Sequence, residues 1–574
     1  MARALPRESF TGRRLGMAAL YFSLIAAIAV LFYQVAAPGL PAAFVYGLDL
    51  LFLFSIGWTL LASLNAAWGF VQLRRPAPAA FGAAEPGGDE RTAIVMTLRD
   101  EPPDEVFARL RAVKTSLERI GQSGRFSFFA LSDSARPEMI AAEERAFALW
   151  KADCAPADQV VYRRRASNEG FKPGNIRDFL AQHGQDFEFM LLLDADSLMT
   201  GETIVELIAI MRARPRLGIL QTLSVGILPS TLFARIFEFG HRHATRCTAA
   251  GAVWWQGDRC QFWGHNAVVR VGPFAKYCEM PYLPGKGPFS GHIVCHDQIE
   301  ASFMHRAGFE VRVLPREVGS FEGVPPTLIE FTRRNHRWFQ GNLKNLKVIG
   351  APGLEWIDRF HLGVVAQRFL AWPAFVAFVV LSAVASLVWR HGAPFDAAKA
   401  LWLYGLWLAA LLAPTLIGVA DAALGSGQRY GGLWRLALGA AVQSAFTILL
   451  TPVIMVAATI RIAGLPFGVA MTWDVQERDG YRLSWSSAIR QLWPQTALGL
   501  GLFVLLLALK PAALPWFAPF LAGLVLAAPF AVLTSSSAAT AWAARMKLCG
   551  IPEDFDPPPE ITEVEALQSS SALV

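Results

Sequence analysis

The sequence predicts an α/β domain with a mostly parallel, doubly wound sheet, inserted in a multi-span α-helical membrane domain. Three observations carry that expectation. Between residues 92 and 345, short β-rich runs alternate with helix-length segments, the order that builds parallel sheets covered by helices. On both sides of that region lie apolar stretches as long as the ~20 residues a helix needs to cross a bilayer, or longer. The 574-residue chain is also 54% hydrophobic and only 17% charged, with 18 tryptophans, too apolar for an ordinary soluble protein.

Taken in order, residues 15–37 are uncharged and residues 44–73 carry only Asp49. Both are expected to span the membrane within an N-terminal region, 1–75. Arginines precede the first stretch, as in a signal peptide, but the apolar run exceeds the usual ~7–15 residues and a second span follows at once. Arg3, Arg7, Arg13 and Arg14 lie before the first span, Arg74 and Arg75 after the second, and the loop PGLPA between them is uncharged. The positive-inside rule therefore puts the N-terminus and the large middle domain in the cytoplasm. The formal net charge of +6 is read as membrane-orienting, not as a nucleic-acid surface. The six cysteines form no CxxC pair, which suits free thiols in a reducing compartment.

After a Pro/Gly-rich linker, 76–91, the soluble domain is expected over 92–347. AIVMTL (93–98), FSFFAL (126–131), QVVY (159–162) and residues 187–193 read as strands, with helix-like segments at 104–120 and 137–150. Ile204, Leu207, Ile208 and Met211 keep the spacing of a helix laid on that sheet. The C-terminal membrane region, 348–540, contains spans at 365–389, 401–423, 494–509 and 514–533. Residues 432–462 are long and apolar but bracketed by Arg435 and Arg461. Placed at the cytoplasmic interface, they leave four spans here and six in all; as a span they would make five and seven, and six is expected. The tail, 541–574, is rich in Pro, Glu and Ser towards its end and is expected to be flexible.

The chemistry concentrates at FMLLLDADSLM (189–199). Asp194 and Asp196 follow a buried strand, where open α/β sheets bind ligands. Alternate residues of an extended segment point the same way, so D-x-D presents two hard oxygen donors on one face, suited to Mg2+ or Mn2+ carrying a diphosphate. The pattern alone is common in loops. Here, however, TLRDEP (97–102) ends the first strand, Ser132-Asp133 the second, and NEGFKPGN (168–175) follows the third. Acids suited to a ribose and a base, a lysine suited to phosphate and a metal-binding pair thus gather on one rim.

The order TLRDEP, SDS, GFKPGN, DADS resembles the nucleotide-sugar half of the inverting, processive family-two glycosyltransferases, the group of cellulose, chitin and hyaluronan synthases. CHDQIE (295–300) stands where that family has its base motif, and RRNHRW (333–338) where it has Q-x-x-R-W. FWGHNA (262–267) and RWFQGN (337–342) resemble the branch that makes the linear backbone of osmoregulated periplasmic glucans. The resemblance covers almost the whole chain, and FGVAMTWDVQERDG (467–480) resembles the loop that covers the nucleotide in related synthases, which must face the cytoplasm and so favours six spans. It implies a GT-A-type domain, UDP-glucose as donor, a growing β-1,2-linked glucan as acceptor and the bacterial inner membrane as location. It also implies passage of the product across the bilayer, with a periplasmic glucan-processing protein and acyl carrier protein as further partners. Two positions depart from the family: Arg334 replaces the usual glutamine and His296 the usual glutamate.

By that resemblance Asp297 is the catalytic base, Asp194 and Asp196 hold the metal, and Thr97, Arg99, Glu101, Asp133, Lys172 and Asp194 bind the nucleotide sugar. His265, Asn266, Arg334, Arg337 and Trp338 are then placed at the acceptor and the diphosphate. Two bland readings stay open. Asp297 also reads as a helix N-cap, and Phe331, Trp338, Phe339 and Leu343 also read as the lipid face of an interfacial helix. A cellulose-, chitin- or hyaluronan-like synthase is the alternative among enzymes, and a transporter with a nucleotide-binding domain is the competing class. Its spans would carry ionisable residues, whereas here the acids crowd the soluble domain and no Walker-type loop occurs.

Overall fold

The computed structural model describes residues 8–75, 88–227, 229–467 and 482–571. Most of the linker 76–91, and the loop expected at 467–480 to cover the nucleotide, lie outside these residues beyond Phe467. The chain opens with two helices, α1 (Thr11–Ala36) and α2 (Ala42–Gln72). The α/β region then runs β1 (Thr92–Leu98), α3 (Pro103–Arg119), β2 (Phe126–Ser132), α4 (Pro137–Asp153), β3 (Val160–Arg164), α5 (Phe171–His183), β4 (Phe189–Asp194), β5 (Leu198–Met199) and α6 (Gly201–Ala213). It continues through β6 (Leu217–Thr222), β7 (Val225–Ile227), α7 (Leu232–Gln256), β8 (Ala267–Arg270), α8 (Val271–Tyr277), α9 (Asp297–Arg306), β9 (Glu310–Leu314), β10 (Ser320–Gly323) and α10 (Leu328–Asn345).

The main sheet has seven strands in the order β3-β2-β1-β4-β8-β6-β9. All neighbours are parallel except β8, which runs antiparallel between β4 and β6. The central strands are apolar along their whole length because helices cover both faces; Met96, Leu191 and Leu193 are fully buried. Register places the ends together: Thr97 pairs with Asp194 and Leu98 with Ser132, so the polar residues after three strands share one rim. A second sheet, β5-β10-β7, stands beside it and carries Glu322.

The membrane region comprises α11 (Trp356–Leu387), α12 (Ala397–Gly425), α13 (Leu433–Gly464), α14 (Trp485–Leu509), α15 (Leu514–Val525) and α16 (Ala527–Thr534). By length and apolarity, six described helices can cross a bilayer: α1, α2, α11, α12, α13 and α14. The segment 514–533, expected as one plain span, is instead two helices bent by 52°. Pro529 explains the break: it lacks the N–H that would bond the carbonyl of Val525, where α15 ends. One end of the bundle is tied to the α/β domain, for Arg14 at the start of α1 donates to the carbonyl of Gln256 and to Asp258. The opposite end gathers the α1–α2 loop and the α11–α12 loop, where the Arg390 amide donates to the Gly39 carbonyl. Phe395 of that loop meets Trp516 of α15.

Helix α13 touches the domain at both of its ends. Phe239 of α7 lies against Gly439 near its start, 2.7 Å from where a Cβ would stand, and Leu465 just past its end clusters with Phe339 and Leu343 of α10. The C-terminal segment departs from expectation. It forms α17 (Ser537–Met546) and α18 (Pro559–Ser571), and α18 is docked, not flexible: Ile561 and Val564 enter the core beside α3. Buried Glu560 accepts from Ser116 at 2.5 Å and pairs with Arg119. The apolar pair, three residues apart, lies on one helical face that the composition of the tail concealed.

Candidate active site

The D-x-D segment is a tight turn that follows β4. The Ser197 amide donates to the Asp194 carbonyl at 2.9 Å, and the Asp194 amide to the Ser197 hydroxyl at 3.1 Å. Ala195 is buried, and its carbonyl accepts from Arg109 of α3 at 3.3 Å, so the turn is braced from behind while Asp194 stays partly exposed. Asp196 lies under β10, where a Cβ added at Gly323 would come within 3.0 Å of the Asp196 Cβ.

Lys172, in the first turn of α5, links two parts of the site. Its ammonium pairs with Asp194 and donates to the Gly264 carbonyl at 2.9 Å. The backbone at Gly264 is left-handed, with φ +88°, and runs close to Asp297: a Cβ there would lie 3.4 Å from the Asp297 Cβ. Lys172 therefore joins the acidic pair to the strip of backbone against which Asp297 rests.

Asp297 is the first residue of α9. The cap position is His296, with no side-chain cap bond, so Asp297 does not serve as the helix cap. Burial raises its pKa above the ordinary carboxylate range, and Glu300 pushes the same way while His296 and Lys172 oppose it. His296 itself is turned to Glu300, 2.8 Å away. Arg337 of α10 acts electrostatically on Cys295, two residues before Asp297.

Other expected residues are placed differently. Asp133 is engaged by both ends of the Arg165 guanidinium, at 2.7 and 2.9 Å. With its side-chain amide turned over, the orientation that satisfies both ends, Asn168 donates to Asp133 at 3.0 Å and accepts from Arg99 at 3.2 Å. Glu101 accepts from the Arg99 amide. Thr97, Arg99, Asp133, Lys172 and Asp194 thus share one rim, but Asp133 reaches any ligand only together with Arg165. Asn266, expected at substrate, is fully buried. Its amide donates to the Ser320 hydroxyl at 2.9 Å and the Phe321 carbonyl at 3.0 Å, fixing β10 to the start of β8. It is a positioning group because its donors are spent within the fold.

On α10, the Arg334 guanidinium lies over Trp338, 4.7 Å from the ring centroid, as their four-residue spacing requires. Trp338 remains 38% exposed. Among the described residues no three His, Cys, Asp or Glu side chains close on a point as a complete protein metal site would need. Two residues escaped the sequence reading. Arg165 gathers Asp133, Asp178 at 3.0 Å and the Glu169 carbonyl, so it organises the loop before α5. Glu322 sits 3.3 Å from His265; burial raises its pKa, and Asp196 and Asp194 add to the effect while His265 and Arg334 oppose it. Burial disfavours the His265 imidazolium, yet Glu322 and the two aspartates raise its pKa overall. SFEG has no local pattern that marks a site; only the second sheet brings Glu322 here.

The chain is similar to several known proteins. The family model described as glycosyl transferase family group 2 matches residues 189–543. The glucans biosynthesis glucosyltransferase H of Xanthomonas campestris pv. campestris (strain B100) is 34% identical over 543 residues, covering 91% of this chain and 84% of that protein. The protein of that name from Rhodopseudomonas palustris (strain ATCC BAA-98 / CGA009) is 32% identical over 538 residues, covering 90% and 74%. Among solved structures, a mannosyltransferase from Pyrobaculum calidifontis in complex with GDP-Man and Mn2+ aligns at 16% identity with a TM-score of 0.41, covering 70% of this chain and 98% of that one.

Proposed function

The chain belongs to glycosyl transferase family group 2, as a membrane glucosyltransferase of glucan biosynthesis, and from that premise we propose that it transfers glucose from UDP-glucose, with inversion, onto a growing β-1,2-linked glucan. In this reading the polymer is the linear backbone of osmoregulated periplasmic glucans, made at the cytoplasmic face of the inner membrane and passed across it. The observation that carries the reading is the Lys172 bridge, which sets a partly exposed acidic pair and the half-buried Asp297 carboxylate on either side of one cation.

Inversion needs a base on the acceptor side and charge stabilisation on the leaving side. Asp297 takes the proton of the acceptor hydroxyl as that oxygen bonds to the anomeric carbon. The bond to the diphosphate breaks on the opposite face, and UDP departs with the electron pair. Its raised pKa suits a base that holds a proton through the transfer and then releases it to solvent. Lys172 and Arg337 offer positive charge to the departing diphosphate. Trp338 offers an exposed ring for an acceptor sugar to stack on, and Arg334 holds that ring from behind.

The donor set fits a divalent ion. Two carboxylates, with no third acidic, histidine or cysteine ligand closing on them among the described residues, leave positions for phosphate oxygens and water, as Mg2+ or Mn2+ prefers. Asp194 and Asp196 would hold it, and it would add positive charge beside the diphosphate. The test is incubation of membranes containing the protein with labelled UDP-sugars, followed by linkage analysis. A β-1,2-linked glucan from UDP-glucose, lost with EDTA, is expected. Another sugar or linkage overturns the substrate assignment, and full activity in EDTA overturns the metal.

A further inference from the structure

A cavity of about 300 Å3 lies away from the catalytic rim and shares no residue with it. It is formed where α2 ends at Leu73 and Arg74, where α12 ends at Asp421 to Gly425, and where Arg429 and Tyr430 lead into α13. Arg246 and His243 of α7 complete it. This is the end of the bundle tied to the α/β domain, so the cavity sits where membrane helices emerge beside that domain.

Its charges are unevenly matched. Three arginines (Arg74, Arg246, Arg429) line it against two carboxylates, Asp421 and Glu317. Both carboxylates are already engaged. Asp421 accepts from Arg74 at 3.0 Å and from Arg246 at 2.8 Å, and Glu317 accepts from Arg242 at 3.0 Å. Arg429 is exposed and pairs with no carboxylate among the described residues. His243 is only 2% exposed, yet its Nε2 has no hydrogen-bond partner, a costly arrangement unless a ligand completes it. Around the mouth, Leu424, Leu433 and Trp434 are 71%, 62% and 74% exposed. A protruding tryptophan between leucines and arginines at the end of spanning helices is the signature of the headgroup layer.

We propose that this cavity binds the phosphate of an anionic phospholipid headgroup, with the acyl chains running over Leu424, Leu433 and Trp434. The phosphodiester carries one negative charge, which balances the surplus arginine, and its oxygens accept from the guanidinium groups. A soluble phosphate compound would satisfy the same donors, but it would leave the apolar rim unused.

The experiment is native mass spectrometry of the purified, delipidated full chain with phosphatidylglycerol, phosphatidylcholine or inorganic phosphate. Phosphatidylglycerol should be retained in preference to phosphatidylcholine, and Arg429→Ala should weaken that retention by about fivefold or more. Arg429 is exposed and unpaired, so its substitution leaves the fold intact; Arg246→Gln, which also loosens Asp421, serves as a second variant. Equal retention of the two lipids, or retention in Arg429→Ala matching the parent, overturns the proposal. Displacement of the lipid by inorganic phosphate at equal concentration also overturns it and reassigns the cavity to a soluble phosphate.

Discussion

Asp297 shows how far a single residue was legible. Its position in CHDQIE pointed to a base, while a helix cap stayed open as the plainer reading. Only the backbone resolves that: the cap is His296, with no side-chain cap bond. Asp297→Asn is therefore expected to lower turnover by about a hundred- to ten-thousandfold while UDP-glucose affinity stays close to the parent's, because a base acts only in the transition state. Turnover within about threefold of the parent would remove Asp297 from the mechanism. The pKa of Asp297 is raised by burial, so the acid limb of the rate profile should lie above the ordinary carboxylate range, with activity falling as pH falls through it. The stability effect has the opposite sign. Between the unfolded and folded pKa values the native state binds more protons than the unfolded chain, so stability drops as pH rises through that window. An asparagine cannot ionise, and thermal unfolding near neutral pH should show the variant no less stable than the parent. Glu322 and Arg165 illustrate what stayed hidden, since each gains its role from a neighbour distant in sequence.

At the scale of elements, the parallel strands β1, β2 and β4 could be read directly, because strands buried on both faces are uninterrupted apolar runs. The antiparallel β8 and the small second sheet could not, for their residues are short and their partners remote. Helix α18 was concealed for another reason: composition marks a segment as polar, whereas docking depends on which few apolar residues share a face. Ile561 is 3% exposed and Val564 fully buried. Ile561→Ala should thus cost about 2–5 kcal/mol in stability, the range for truncating a large aliphatic core residue, measured by denaturant or thermal unfolding in detergent. A flexible tail would show no change, and proteolysis within residues 559–571 should quicken in the variant as α18 detaches from α3.

The whole molecule turns on where α13 lies, because its length and apolarity alone admit a crossing. A helix that traversed the bilayer would meet the α/β domain at one end only. Instead the domain side meets both ends of α13: the Phe239 ring of α7 lies against Gly439 near its start, 2.7 Å from where a Cβ would stand, and Leu465 just past its end joins the apolar cluster of Phe339 and Leu343 of α10. We therefore propose that α13 lies along the domain side of the bilayer. Crossings by α1, α2, α11, α12, α14 and the bent α15–α16 pair return the chain to the domain, where α18 docks. The turn between α14 and α15 consequently belongs to the far side, beside the α11–α12 loop, as the contact of Phe395 with Trp516 requires. Lys510 in that turn, His391 in the loop and Gly124 on the α/β domain are all exposed, and a Cβ at Gly124 meets nothing within 4 Å. In intact cells, cysteines at Lys510 and His391 should react with an impermeant thiol reagent, and one at Gly124 only after lysis. If α13 crossed, the parity of every later segment would invert, and Lys510→Cys would be protected together with Gly124→Cys. Labelling at His391 without labelling at Lys510 therefore defeats the six-crossing arrangement. Labelling at Gly124 in intact cells would place the α/β domain outside, away from cytosolic UDP-glucose, and defeat the proposed activity itself.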